Sequence, residues 1–194
     1  MARPRQFDRA EALNAAVEVF WAKGFEGAST EDLTRAMRIG RQSLYGAFGD
    51  KRSLYLEALS AYNAGSVADL IDTLRRANSP LAALRDLLLA PAELPAAKRR
   101  LGCMGVNAIC EFGVADPQVL AAGGPGAVAL ENALIRLVRE AKEKGDVAVG
   151  VNEQVAAHFI QCMLSGLKVA ARAGAEPAAM RAIVDLALNS LKAA

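Results

Sequence analysis

Aromatic side chains make up only 5% of this 194-residue chain, and it contains one histidine and three cysteines. Aromatic and β-branched strand formers are sparse, while the 53% apolar share is rich in alanine, so the composition predicts an all-α fold whose helices pack through small side chains. Cys103, Cys110 and Cys162 are an odd, unclustered set. They form neither a disulfide framework nor a zinc knuckle, and a reducing compartment suits them best. No apolar run approaches the ~20 residues that span a bilayer, and no leading apolar stretch carries a cleavage site. The expectation is a cytoplasmic protein with no membrane partner. An excess of one charge is also missing, since the formal net charge is +2. Any footprint for nucleic acid must therefore be local rather than global. One cationic stretch is the N-terminal arm with Arg3, Arg5 and Arg9, opposed only by Asp8.

The apolar residues that are present recur at helical spacing. Leu13, Ala16, Val17 and Phe20 share one face of a first helix over 8–23, stopped by Gly24. Ser29 precedes Asp32 by three residues, an S-x-x-D cap for a short second helix from Thr30 to Met37. The pattern restarts at Arg41, with Ile39, Leu44 and Phe48 facing inward and Arg41, Gln42 and Tyr45 outward. Asp50 caps a much longer helix running to about Ala77. Ser79-Pro80, Asp116-Pro117, Asn152 and Glu176-Pro177 mark later helix starts. Pro91 and Pro95 are expected to end one element, and Gly123, Gly124, Pro125 and Gly126 to break another. Composition shifts near residue 50, which divides the chain into a head over 1–49 and an alanine- and leucine-rich body over 50–194.

A short helix, a tight turn at Arg38-Ile39-Gly40 and a second short helix with a polar outer face form the rigid pair needed to enter a major groove ~12 Å wide. An ordinary helical hairpin reads the same way by periodicity alone. The stretch ASTEDLTRAMRIGRQSLYGAFGDKRSLYLEAL, from Ala28 to Leu59, separates the two readings, because it resembles the TetR family of bacterial regulators. AVEVFWAKGFEGAST in the first helix is similar to that family as well, and SLYGAFGDKRSLY is the most specific run. Beyond residue 60 the phrase GCMGVNAICEF and the helix count carry the resemblance.

The resemblance implies a homodimer that binds a double-stranded DNA operator, with a helical body that binds a small-molecule effector; no cofactor or metal is expected. Carried over by position, Thr30 would contact a phosphate at the start of the second helix. Ser43, Tyr45 and Lys51 would contact the DNA backbone, and Arg41 and Gln42 the base edges. Arg bonds guanine bidentately and Gln bonds adenine, which fits those two roles. Two positions depart from the family pattern: Arg38 where glycine is common at the turn, and Gly40 where serine commonly caps the reading helix. A positive φ at Arg38 would be strained.

Candidate effector contacts are Tyr62, Met104, Asn107, Glu111, Phe159 and Met163. Asn107 and Glu111 stand out because an otherwise apolar helix would bury them only against partners or a ligand. Cys162, Ser165, Gly166, Val169, Leu188 and Leu191, small and apolar, are the candidate dimer interface, two copies of the last helix pair forming a four-helix bundle. His158 and Cys162 stand four residues apart but lack a third metal ligand at convincing spacing. Enzymatic catalysis is not expected, since the single histidine has no evident nucleophile beside it and no phosphate-cradling glycine loop follows a strand. The alternatives are a dimeric ligand-binding module without DNA affinity, or a thiol-responsive regulator. The latter would use Cys103, which follows the cations Lys98, Arg99 and Arg100.

Overall fold

Side-chain caps set most of the helix starts in the computed structural model, which describes residues 7–192. The Asp8 carboxylate accepts from the amides of Ala10 and Glu11 and opens α1, Arg9–Gly27. Ser29 and Asp32 close a reciprocal capping box on α2, Thr30–Met37. Gly40 begins α3, Arg41–Phe48, without a side-chain cap. Asp50 accepts from the Ser53 amide at the start of α4, Lys51–Arg76. Ser79 caps α5, Pro80–Glu93, and the single turn α6, Ala96–Arg99, leads to α7, Met104–Phe112. A 3₁₀ turn at Gly113–Ala115 precedes α8, Pro117–Ala121, which Asp116 caps. α9 spans Gly124–Glu143, α10 Glu153–Arg172 and α11 Pro177–Asn189. The all-α expectation holds across the described residues. Arg3 and Arg5 lie outside them, whereas Arg9 is tied inside the head, paired with Glu57 at 2.6 Å and lying over the Phe48 ring.

Two details differ from the sequence reading. α5 continues past Pro91, whose ring is buried, to Glu93 and ends ahead of Leu94-Pro95. Of the residues Gly123 to Gly126, only Gly123 sits at the break. Gly124, Pro125 and Gly126 form the first turn of α9, where proline's missing amide costs nothing. A Cβ at Gly126 would lie 2.9 Å from Val67 Cγ2 on α4, closer than side-chain atoms pack.

The apolar residues gather into two clusters. One unites Ala16, Phe20, Leu33, Leu44 and Phe48 of the head with Leu54, Tyr55, Ala58 and Leu59 from the first half of α4. Met104 and Ala108 of α7 and Val119 of α8 complete it, so this core does not stop at residue 49. The second cluster packs the last turns of α4 with α5, α9, α10 and α11 around Leu84, Leu87, Leu134 and Ile160. α4 thus runs through both.

Leu84 is fully buried at the centre of the second cluster. Leu84→Ala should lower unfolding free energy by about 2–5 kcal/mol, read from the urea midpoint at unchanged m-value.

Candidate nucleic-acid interface and effector cavity

α3 is amphipathic in the sense a groove-reading helix requires. Leu44 and Phe48 are buried, while Arg41, Gln42 and Ser43 are exposed along its first turn and Tyr45 follows at 49% exposure. Because Gly40 supplies no side-chain acceptor, the first-turn amides of α3 are left open to a phosphate. α2 braces this helix from behind. Its start is held by a small polar cluster in which the Ser29 amide and hydroxyl both donate to Asp32 Oδ2, at 3.1 and 2.8 Å. Lys23 Nζ lies 2.7 Å from Asp32 Oδ1. The Lys23 ammonium, then the Ser29 donors, hold the Asp32 carboxyl well below the usual carboxylate range.

Arg38 occupies the turn in a left-handed conformation, φ 55° and ψ 37°, with its side chain exposed. It is the one non-glycine residue with positive φ among those described. Thr30 is the first residue of α2, half-exposed. Lys51 opens α4 with its ammonium 4.4 Å from the centre of the Phe25 ring, so part of its charge rests on the head itself. The six residues expected at DNA therefore fall on the starts of α2 and α4 and along α3.

The candidate effector residues scatter. Tyr62 lines a half-open cavity of about 410 Å³ between α4, α5, α6 and α10. Met104 is buried in the cluster shared with the head, and Phe159 and Met163 pack against the body core. The Asn107 side-chain amide donates to the Leu101 carbonyl at 3.0 Å. Glu111 receives the amides of Phe25 and Glu26 at 3.2 and 3.1 Å, clasping the end of α1 to α7. Gly24 makes room for that clasp: its φ is 71°, and a Cβ there would lie 3.0 Å from Glu111 Oε2. Asn107, part-buried, and Glu111, exposed rather than buried as expected, both meet partners, and the partners are backbone groups of the chain.

The cavity wall contains residues that periodicity did not single out. Trp21 of α1 reaches it, donating its indole N–H to the Gly102 carbonyl at 3.2 Å and lying 5.2 Å from the Tyr62 ring. Lys168, a lone cation in an apolar stretch of α10, also lines it. That isolation was the available signal. Cys103 is buried at the same wall, with Lys168 Nζ 3.6 Å from its sulfur. Burial, and then the neighbouring Cys103, push the Tyr62 phenol well above its ordinary value. A wider cleft of about 610 Å³ lies at the far end, between α4 and α9, and has no lining residue from the head.

On the outer face of α10, Cys162, Ser165, Gly166 and Val169 are exposed in one stripe, continued by Ile183 and Leu186 on α11. Leu188 and Leu191, expected at the same interface, are buried in the body core at 4% and 8% exposure: helical spacing turns Leu188 away from Leu186, and Leu191 follows the end of α11. His158 pairs with Glu131 across α9 and α10 at 3.0 Å. No group of three or more metal-ligating side chains occurs among the described residues.

The family described as bacterial regulatory proteins, tetR family, matches residues 12–58. The uncharacterized HTH-type transcriptional regulator YezE of Bacillus subtilis (strain 168) is 33% identical over 148 residues, 76% of each chain. The HTH-type transcriptional repressor ComR of Escherichia coli (strain K12) is 26% identical over 178 residues, 89% of this chain and 83% of its own. Among solved structures, a cysteine mutant of the TetR family transcriptional regulator CifR, complexed with 26 bp double-strand operator DNA, superposes with a TM-score of 0.80. It is 32% identical and covers 98% of this chain and 100% of that one.

Two outcomes follow from the head's geometry. Arg38→Gly should raise stability by about 1 kcal/mol, measured by urea unfolding, because glycine adopts the left-handed turn without the Cβ penalty. The depressed Asp32 carboxyl stabilises the fold above its unfolded-state value and loses that contribution as pH falls below the ordinary 3.8. Asp32→Asn should therefore lower the thermal midpoint at neutral pH and make its decline in acid shallower.

Proposed function

The chain belongs to the TetR family of bacterial regulatory proteins, and from that premise we propose that it is a homodimeric repressor released from a pseudo-palindromic operator by a small-molecule effector. It is a DNA-binding transcriptional regulator, and the exposed first turns of α3 carry that assignment. Arg41 and Gln42 read base edges in the major groove. Thr30, Ser43, Tyr45 and Lys51 hold phosphates and set the register, which carries no sequence information by itself. The dimer forms through the outer face of α10 and α11, where Val155, Val169, Ile183 and Leu186 stand 42–73% exposed. An apolar stripe of this kind is covered by its own copy about a two-fold axis.

The effector enters the cavity lined by Tyr62 and Trp21. Its occupancy bears directly on the head, because Trp21 belongs to α1. An effector that favours a spacing of the two heads unsuited to the operator weakens DNA binding by the factor by which DNA weakens effector binding.

Selection of bound fragments from genomic DNA gives the operator and tests the assignment, since a protein that enriches no sequence is not a regulator of this kind. On that operator, Arg41→Ala should cost about 1–3 kcal/mol at one base pair and relax preference there. Lys51→Met should reduce the slope of log K against log salt by about one while leaving sequence preference unchanged. Changed preference in the Lys51 variant would remove it from the phosphate contacts.

A further inference from the structure

Lys168 is half-buried where two cavities meet. The first is the 410 Å³ cavity against Trp21 and Tyr62. The second, of about 330 Å³, lies between α4, α7 and α9, and shares Ser66, Leu70, Cys103, Leu164 and Lys168 with the first. Among the described residues Lys168 makes no ion pair, and the one hydrogen-bond acceptor at its ammonium is the Cys103 sulfur, 3.6 Å away. A thiol is a weak acceptor, and an ammonium carries three donors. The remaining Lys168 donors are free for a stronger, charged acceptor that enters either cavity. Lys98 and Arg99 line the first cavity as well, with Asp69 as its single carboxylate, so its charged groups sum to a cationic excess. The remaining wall is aromatic and aliphatic, through Trp21, Tyr62, Leu70, Leu94 and Leu164.

We propose that this cavity takes an amphipathic carboxylate, its anionic group bound by Lys168 and its apolar body lying against Trp21 and Tyr62. The proposal rests on the effector reading above and gives it a ligand class. Volume agrees, since small-molecule sites begin near ~300 Å³ and bury most of the ligand. Anion binding also explains why a lysine sits in an otherwise apolar turn of α10. A charge-assisted bond to carboxylate distinguishes an acid from its neutral amide by roughly tenfold or more.

The test uses the full chain with 4-phenylbutyrate and its amide, 4-phenylbutanamide, as probes. Trp21 is the only tryptophan, so its fluorescence reports occupancy at the cavity wall, and calorimetry gives the affinity. The acid should bind about tenfold more tightly than the amide. Lys168→Met should abolish that preference while leaving amide affinity unchanged, and Lys168→Arg should keep it. Lys168→Gln replaces the methionine variant if the latter fails to fold. Equal binding of acid and amide by the wild type, preference that survives loss of the lysine charge, or no binding of either probe at millimolar concentration overturns the proposal. Operator retention is measured separately. Amide binding that releases DNA without any preference for the acid removes the anion assignment and keeps the effector cavity. Preferential acid binding that leaves DNA affinity unchanged does the reverse.

Discussion

Phe20, Phe25, Tyr55 and Phe112 meet around the turn that follows Gly24, and the placement of the reading helices depends on that contact. Phe20 lies edge-on to Tyr55 at 5.0 Å, while Phe25 and Phe112 close on the same ring at 5.1 and 5.7 Å. These rings come from α1, α4 and α7, so one packing event joins three elements far apart in sequence. Desolvation in this nest pushes the Tyr55 phenol up to about 12. The Glu111 clasp and the Arg52–Asp116 ion pair fasten its edges, and both are reachable by water. Apolar packing therefore holds the joint, and the polar contacts fix its angle.

The helices and caps of the head were legible because each is encoded locally. Ser29 and Asp32, Asp50, and the alternation of Leu44 and Phe48 with Arg41 and Gln42 are patterns within a few residues, and α2 begins and ends where they place it. The cavity was not legible, because its walls come from five helices and a loop. Of the six residues expected at the effector, Tyr62 alone lines the cavity. Trp21 was hidden by its membership of α1, which reads simply as a head helix. Glu111 stood out as a polar residue in apolar company, but it is exposed, and only the fold reveals that its partners are two backbone amides at the break at Gly24. Leu188 and Leu191 show the opposite limit. On α11 apolar residues occur on two faces, and hydropathy cannot say which face belongs to the core.

Arg38 holds a backbone conformation that glycine would adopt with less strain. A glycine would fit its left-handed backbone, but a glycine carries no charge, and Arg38 is exposed one turn ahead of Arg41. Strain of about 1 kcal/mol is tolerable in a domain whose capping box and buried Leu33 anchor the same helix. Gly40 makes the complementary choice, giving up a side-chain cap and leaving amides free at the point where a phosphate would lie.

α4 has no break from Lys51 to Arg76. At 1.5 Å per residue it is a rod of about 39 Å. Its first turns are built into the head's core and its last turns into the body's, and the cavity lies along its middle. A rod so mounted is a lever. A tilt of about 5° at one end displaces the other by about 3.4 Å, which is the axial rise of one base pair. Under the proposed effector mechanism, a ligand that leaned on the shaft would put a reading head out of step with its half-site by a whole base pair without unfolding any helix.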